Sequence, residues 1–535
     1  MFAPAKSQRR MKLVATLCLL TILAAGILIP IGATILNEPE SIFQYHQKRN
    51  EIDLQKQSKH CDILKQLQWE QQNHTFQPSQ EKQDQSQIRK YQDVGYQRSF
   101  WTYDFTTSFF YEINSTLLAI GEYSLVFMED SCITELGEIA AIEKTETIRD
   151  EFDSTIYPRV TDLAGHPNGT LGDIDGDPRI IILLSSNRHY YYSERNELPF
   201  DYSNLCEMIY LHYRIPVVNV IAHEFHHLIW FNNEWDEHHF IIEALAQYAM
   251  YHAGYLESNN NLAPQVPFYL PHPEDSLLYW NMYNEGGMNA VIDYGGGYLF
   301  AFYMAEQYGV EILRNLIMEP TDGPHGIETV LQRSGYDITF NELYLNWITT
   351  LTIDELGFSN NLYGFENLDA RITSFYPVGV LPLRNHTISL RYYGFHIHKL
   401  QAPPDGFTVQ INKSSNHTIG VSIVAHDSYG WHIYQNLHDE EDTIITDNFI
   451  GNRPDVAYII ASFMSNHTPI TTNTIGLGPV TEIDISIIPT HIEWEGPGDV
   501  IIPLLAFCGV CLLIVLVIRI RKRKHFEVKH LLNPV

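Results

Sequence analysis

Five residues, His223-Glu224-Phe225-His226-His227, carry the strongest chemical signal in the chain. They read H-E-x-x-H, and every other position from 220 to 229 is uncharged, which predicts a buried helix. Residues four apart share one helix face, so His223 and His227 can aim imidazole nitrogens at one metal ion. Glu224, beside the first histidine, can reach a water on that metal and accept its proton. A catalytic zinc takes three protein ligands and leaves a fourth position for water. Glu243 is the expected third ligand. It stands in Ile241-Ile242-Glu243-Ala244-Leu245-Ala246, where an unpaired carboxylate would be costly to bury. His226 lies off the face of His223 and His227, and His238 and His239 are expected in solvent at a helix start. With His252 they rank below Glu243. The reading is one zinc per chain on His223, His227 and Glu243, with Glu224 as general base.

Other residues complete the picture. An oxyanion that develops during hydrolysis needs a further donor. Tyr294 and Tyr298, flanking the glycines at 295–297, are the candidates, with aromatic packing as the alternative for each. Gln247, one turn beyond Glu243, can orient a ligand or lie on the surface. Asp173, Asp175 and Asp177 form an Asp-x-Asp-Gly-Asp turn that can hold Ca2+. No acidic ligand follows at EF-hand spacing, so a solvated Asx-Gly turn is the competing reading.

The elements that must position these residues follow from periodicity. Alternation at 117–128 predicts strands, 134–152 has helical spacing, and 179–184 reads as a short buried strand. Helices are expected at 217–231 and 239–251. The glycines at 295–297 are expected to break the chain before a helix at 298–307 that Gly309 stops. Residues 95–365 thus form an α+β catalytic domain. Residues 366–492 change to short β-branched and aromatic runs at 387–400, 407–411, 419–425, 457–463 and 481–488, the pattern of an all-β sandwich-like domain.

The flanks set the compartment. Lys6, Arg9, Arg10 and Lys12 precede an apolar run at 13–33, longer than the usual signal-peptide core. Residues 1–36 are expected to be a signal anchor or a signal peptide cleaved after Ala33. Residues 37–94 are a polar stalk. The apolar run 500–518 spans roughly the 30 Å hydrocarbon core as a transmembrane helix, and Arg519, Arg521, Lys522, Arg523 and Lys524 place the tail 519–535 in the cytoplasm. Everything between the runs is then extracellular, held to membrane lipid by terminal helices. Sequons at Asn73, Asn114, Asn168, Asn385, Asn412, Asn416 and Asn466 all fall in that span. A C-terminal tag should therefore resist protease added outside intact cells, and its digestion there would reverse the topology. A formal net charge of −30 argues against nucleic acid as a partner. Outside the apolar runs no Cys-x-x-Cys occurs, and Cys132 with Cys206 is the first pairing to test.

Over residues 94–355 the sequence resembles the neutral zinc metallopeptidases of the hyicolysin type, within the gluzincins. The blocks that carry the resemblance are Gly121-Glu122-Tyr123, Glu151-Phe152-Asp153-Ser154-Thr155-Ile156-Tyr157-Pro158, Asp173-Ile174-Asp175-Gly176-Asp177-Pro178, Asn204-Leu205-Cys206-Glu207, the His223–His227 motif, Glu243, Asp293-Tyr294-Gly295-Gly296-Gly297-Tyr298 and Gly335-Tyr336-Asp337. The resemblance implies a zincin fold, an endopeptidase acting on protein or peptide, His223, His227 and Glu243 as ligands, and Glu224 as base. Ile242-Glu243-Ala244 departs from the Asn-Glu-Gly usual around the ligand glutamate, and the membrane segments depart from freely secreted members. The alternative is a surface receptor or adhesin with an inert zincin-like domain, in which the sandwich binds the partner.

Overall fold

The first sheet is built from β1 (Gln97–Asp104), β2 (Phe109–Ile120), β3 (Ser124–Glu129), β4 (Ile180–Ser185), β5 (Tyr191–Tyr192) and β6 (Met208–His212). Its strand order is β1-β2-β3-β4-β6-β5. The central β3, β4 and β6 run parallel and the outer strands antiparallel. Every residue of β4, Ile-Ile-Ile-Leu-Leu-Ser, is buried, the signature of a strand covered on both faces. Phe127 and Leu183 face one core, while Val126, Met128 and Leu184 face the other. The computed structural model describes residues 93–490, except 169–172, 215–217, 235, 257–261, 281–287, 414–416, 439–443, 451–453 and 466–475. The expected N-terminal anchor, almost all of the stalk and the membrane helix at 500–518 lie outside the described residues. Among those described, no helix is long and apolar enough to cross a membrane.

Helices cover the sheet. After β3 come α1 (Asp130–Leu136) and α2 (Glu138–Glu151), separated at Gly137, whose φ of 84° lies in the left-handed region. A π-type turn joins α2 to α3 (Tyr157–Ala164). Beyond β6 follow α4 (Val218–Asn233), α5 (His239–His252), α6 (Val266–Tyr269), α7 (Met288–Tyr308), α8 (Val310–Ile317), α9 (Gly323–Arg333) and α10 (Phe340–Ile353).

One expectation is corrected here. The glycines at 295–297 do not break the chain but lie inside the continuous α7. Their role is close approach. A Cβ on Gly295 would stand 2.7 Å from the Gln265 carbonyl oxygen. On Gly296 it would meet the Tyr269 ring at 2.9 Å, and on Gly297 it would meet Trp280 at 3.0 Å and Ala244 at 3.3 Å. Packing against α5 and α6 therefore outweighs the helix-breaking tendency of glycine, about 1 kcal/mol per residue. Gly309 does end α7, with φ of 91°.

The remaining strands are β7 (Tyr376–Val378), β8 (Leu383–Arg391), β9 (Phe395–Gln401), β10 (Gly406–Lys413), β11 (Thr418–Asp427), β12 (Gly430–His438), β13 (Ile444–Ile450), β14 (Val456–Met464) and β15 (Val480–Pro489). They form a four-stranded sheet, β13-β10-β15-β8, and a five-stranded one, β12-β11-β14-β9-β7. All pairings are antiparallel except β7 with β9. The run expected at 387–400 is two strands, because the chain turns at Tyr392-Tyr393-Gly394. Helix α10 packs on β11, β12 and β14, with Thr349 Oγ1 3.0 Å from Ser422 Oγ. One apolar core runs from the helices into both of these sheets. The fold is thus mixed α+β with sandwich-like sheets.

Candidate metal centre

Helix α4 presents His223 and His227 one turn apart, with their Nε2 atoms 3.0 Å from each other. Helix α5 packs across α4 and delivers Glu243, whose Oε2 is 3.3 Å from His223 Nε2 and 3.4 Å from His227 Nε2. All three side chains are buried, Glu243 to 1% exposure. Tetrahedral zinc with bonds of about 2.0–2.1 Å sets neighbouring ligand atoms about 3.3–3.4 Å apart, so the three atoms fit one face of such a tetrahedron.

The chemistry of the donors points the same way. Two imidazole nitrogens at 3.0 Å oppose their lone pairs unless a proton or a cation lies between them. Oε2 of Glu243 accepts no hydrogen bond of good geometry, a costly state for a buried carboxylate oxygen. Burial alone would raise the Glu243 carboxyl, yet the His227 and His223 rings hold it well below the usual carboxylate range. Burial would lower His227, but the charge and hydrogen bond of Glu243 together with the charges of Glu224 and Glu194 outweigh it and raise the imidazole. Positive charge is therefore favoured at the point where the three atoms converge, and a metal ion supplies it. His223, His227 and Glu243 can hold a metal.

Glu224 is buried beside them, and its Oε2 accepts the backbone N–H of Tyr192 at 2.9 Å. Tyr192 lies on β5, at the edge of the first sheet, and its hydroxyl donates to Glu197 Oε1 at 2.8 Å. Burial pushes the neighbouring Glu194 carboxyl up to about 7, with His227 pulling it down. Neither Tyr192 nor the buried glutamates carried a sequence signal, because their nearness to Glu224 depends on β5 folding back beside β6.

The two tyrosines part company. Tyr294 reaches the centre, its ring 6.2 Å from that of His223 and 4.9 Å from that of Trp280. Tyr298, one turn on, is fully buried with its ring 5.6 Å from Phe302. Burial and the nearby Tyr251 and Tyr248 raise its hydroxyl, so it belongs to the helical core. Gln247 is buried on α5 rather than on the surface.

Three further expectations are corrected. His238 and His239 are buried, not solvated. The start of α5 is covered by Trp280, 5.3 Å from the His239 ring, and by Gly323 against His238. His239 Nε2 comes to 3.7 Å from Glu243 Oε1, the i, i+4 spacing that its position already implied. Cys132 and Cys206 are both free thiols. They belong to the two different cores separated by the first sheet. Asp177 is engaged by Arg179 at 2.5 Å, and its place beside Asp173 and Asp175 is taken by Glu207. Arg98 already lends positive charge to Asp175.

No family model matches the chain, and no curated protein matches it significantly. Among solved structures it is similar to the pre-peptidase C-terminal domain of a Bacillus anthracis collagenase, at 11% identity over 22% of this chain and 99% of that one, with a TM-score of 0.16. It is similar to Legionella pneumophila aminopeptidase A in complex with aspartic acid, at 10% identity over 70% of this chain and 39% of that one, with a TM-score of 0.26. The Yersinia pseudotuberculosis-derived mitogen follows at 6% identity over 22% of this chain and 93% of that one, with a TM-score of 0.15. Likenesses this weak carry no argument about fold or activity.

Proposed function

We propose that the chain is a zinc-dependent endopeptidase of zincin type, anchored in the membrane with its catalytic centre outside the cytoplasm. The observation that carries the reading is the buried triangle of His223 Nε2, His227 Nε2 and Glu243 Oε2 with sides of 3.0, 3.3 and 3.4 Å. Glu224 on the same helix adds what a binding domain has no use for. The ordered sequence blocks that resemble hyicolysin-type enzymes support the same reading, and the apolar flanks support the anchoring. A peptide substrate suits β5, since an extended chain laid along a sheet edge is held by main-chain hydrogen bonds.

His223, His227 and Glu243 would hold the zinc, which when bound polarises a water and the scissile carbonyl. Glu224 takes the proton of the attacking water and passes it to the leaving amine. The Tyr192 N–H holds one carboxylate oxygen of Glu224, and the other would take the proton of the water. Tyr294, whose ring lies 6.2 Å from that of His223, would donate its hydroxyl toward the oxyanion.

The direct test is metal content and turnover of the full chain purified in detergent. We expect one zinc per chain, hydrolysis of an unfolded protein substrate, loss of that hydrolysis on chelation and its return with added zinc. A chain that purifies without zinc and takes none up would refute the centre, and a zinc-loaded chain without turnover would favour the adhesin.

A further inference from the structure

Three histidines gather where the two sheets of the sandwich meet at one edge. His396 and His398 alternate along β9, so they share one face of the five-stranded sheet. His386 stands on β8, the edge strand of the four-stranded sheet, which packs against β9. Its Nδ1 lies 2.9 Å from His398 Nε2, so an imidazole–imidazole hydrogen bond joins the two sheets there. Ring centroids are 5.2 Å apart for His386 and His398 and 4.8 Å apart for His396 and His398. Tyr376 of the edge strand β7 lies against the group. Its ring is stacked 4.1 Å from that of His386 and stands 5.2 Å from that of His398.

These surroundings suit neutral rings. His398 is fully buried, and among the described residues neither its Nδ1 nor that of His396 has a hydrogen-bond partner. A neutral imidazole carries one N–H and one lone pair, and either serves the bond between His398 and His386. A second proton on His398 would turn both its nitrogens into donors and make Nδ1 a buried N–H without an acceptor. The groups that act electrostatically on His396 and His398 are few. They are His386 from β8, each other, and Glu274 from the segment before the sandwich, an exposed carboxylate that also meets His272 Nδ1 at 3.0 Å. On β14 the register partners of His396 and His398 are Ala461 and Ile459, and on β15 that of His386 is Ile485, none of them charged. Burial, reinforced by the neighbouring imidazoles, lowers His396 to about 4 and His398 to about 3, and only Glu274 opposes it, at His396.

We propose that His386, His396 and His398 form a pH-sensitive latch that holds the two sheets together while the rings are neutral and loosens the β7–β9 edge in acid. The sign follows from linkage. A histidine held below its usual value of about 6.5 in the fold takes up its proton when its surroundings open. Its contribution to the fold is therefore complete above about pH 6.5 and is lost as pH falls toward the folded values of about 4 and about 3. Two such groups make opening about 100-fold more favourable at about pH 5.5 than at about pH 7.5. The junction gives the release a reach. Phe395, beside His396, donates its N–H to the Pro273 carbonyl at 2.8 Å, and Leu277 donates to the Tyr393 carbonyl at 2.9 Å. The same edge thus ties the sandwich to the segment leading to Trp280, which packs against Tyr294 and His239. The latch stands whether or not the metal centre hydrolyses peptides.

Amide hydrogen exchange of the full chain in detergent reads the latch directly, since backbone protection reports local opening. Rates would be followed between about pH 7.5 and about pH 5.5 and corrected for the intrinsic pH dependence of exchange. We expect protection in β7, β8 and β9 of the wild type to fall about 100-fold over that range. His396→Gln and His398→Gln each remove one titrating ring, so each should reduce the fall to about tenfold. Any acid effect of the metal centre is common to wild type and variants, and the comparison therefore isolates the cluster. His396 is only half-buried, so its variant should fold even where the buried position of His398 tolerates no amide. His325→Gln, at an exposed position of α9, should behave as wild type. Protection in β7–β9 that is unchanged in acid, a fall as large in His396→Gln as in wild type, or a smaller fall in His325→Gln would each overturn the assignment.

Discussion

Glu224→Gln is expected to abolish peptide hydrolysis while leaving zinc content and thermal midpoint at wild-type values. The amide has the same volume, and its oxygen can still accept the Tyr192 N–H that now meets Glu224 Oε2 at 2.9 Å. The side chain therefore stays in place beside the zinc ligands. What it loses is the capacity to take a proton at neutral pH, and general-base assistance is worth about 10²–10⁴-fold in rate. Turnover of an unfolded protein by the full chain would be compared for wild type, variant and a chelated sample. The loss should fall on kcat, since the water is activated after substrate binds. Equal turnover in variant and wild type would remove Glu224 from the mechanism. The variant also separates the enzyme from the adhesin, because a domain that only binds loses nothing with this proton acceptor.

The metal-binding triad was legible in the sequence for local reasons. His223 and His227 are set by helical spacing alone, and Glu243 by the cost of burying a carboxylate in an apolar helix. The helices at 217–231 and 239–251 and the strand at 179–184 were readable because their apolar patterns are continuous. What escaped depends on residues far apart in the chain. The glycines at 295–297 look like a break until Gln265, Tyr269, Trp280 and Ala244 are placed against them. Glu207 joins Asp173 and Asp175 from the residue just before β6, more than thirty positions along the chain, and no spacing rule links them. His238 and His239 read as solvated because a helix start usually is, whereas Trp280 and Gly323, far along the chain, pack against them. Tyr298 differs from Tyr294 by one helical turn, enough to move it from the centre into the core. Local pattern therefore found the residues that one helix can bring together, and tertiary packing decided their surroundings.

His227→Ala is expected to empty the centre of zinc, end hydrolysis and destabilise the fold. The first two follow from removing one of three protein ligands, since Glu243 and His223 alone leave half of a tetrahedral shell to water. The third follows from Glu243. Its carboxylate is 1% exposed and stays ionised chiefly because of His227. Taking away one partner of a buried pair leaves an uncompensated charge, at a cost of about 3–5 kcal/mol. The cost makes the assignment separable from a trivial failure to fold. In His227→Ala/Glu243→Leu the orphaned charge is gone as well, so this double variant should recover much of the stability while still binding no zinc. Metal content by elemental analysis and thermal midpoints of the three proteins provide the comparison. Full zinc occupancy in His227→Ala would sink the ligand assignment. A double variant no more stable than the single one would show that His227 supports the fold by some route other than its pairing with Glu243.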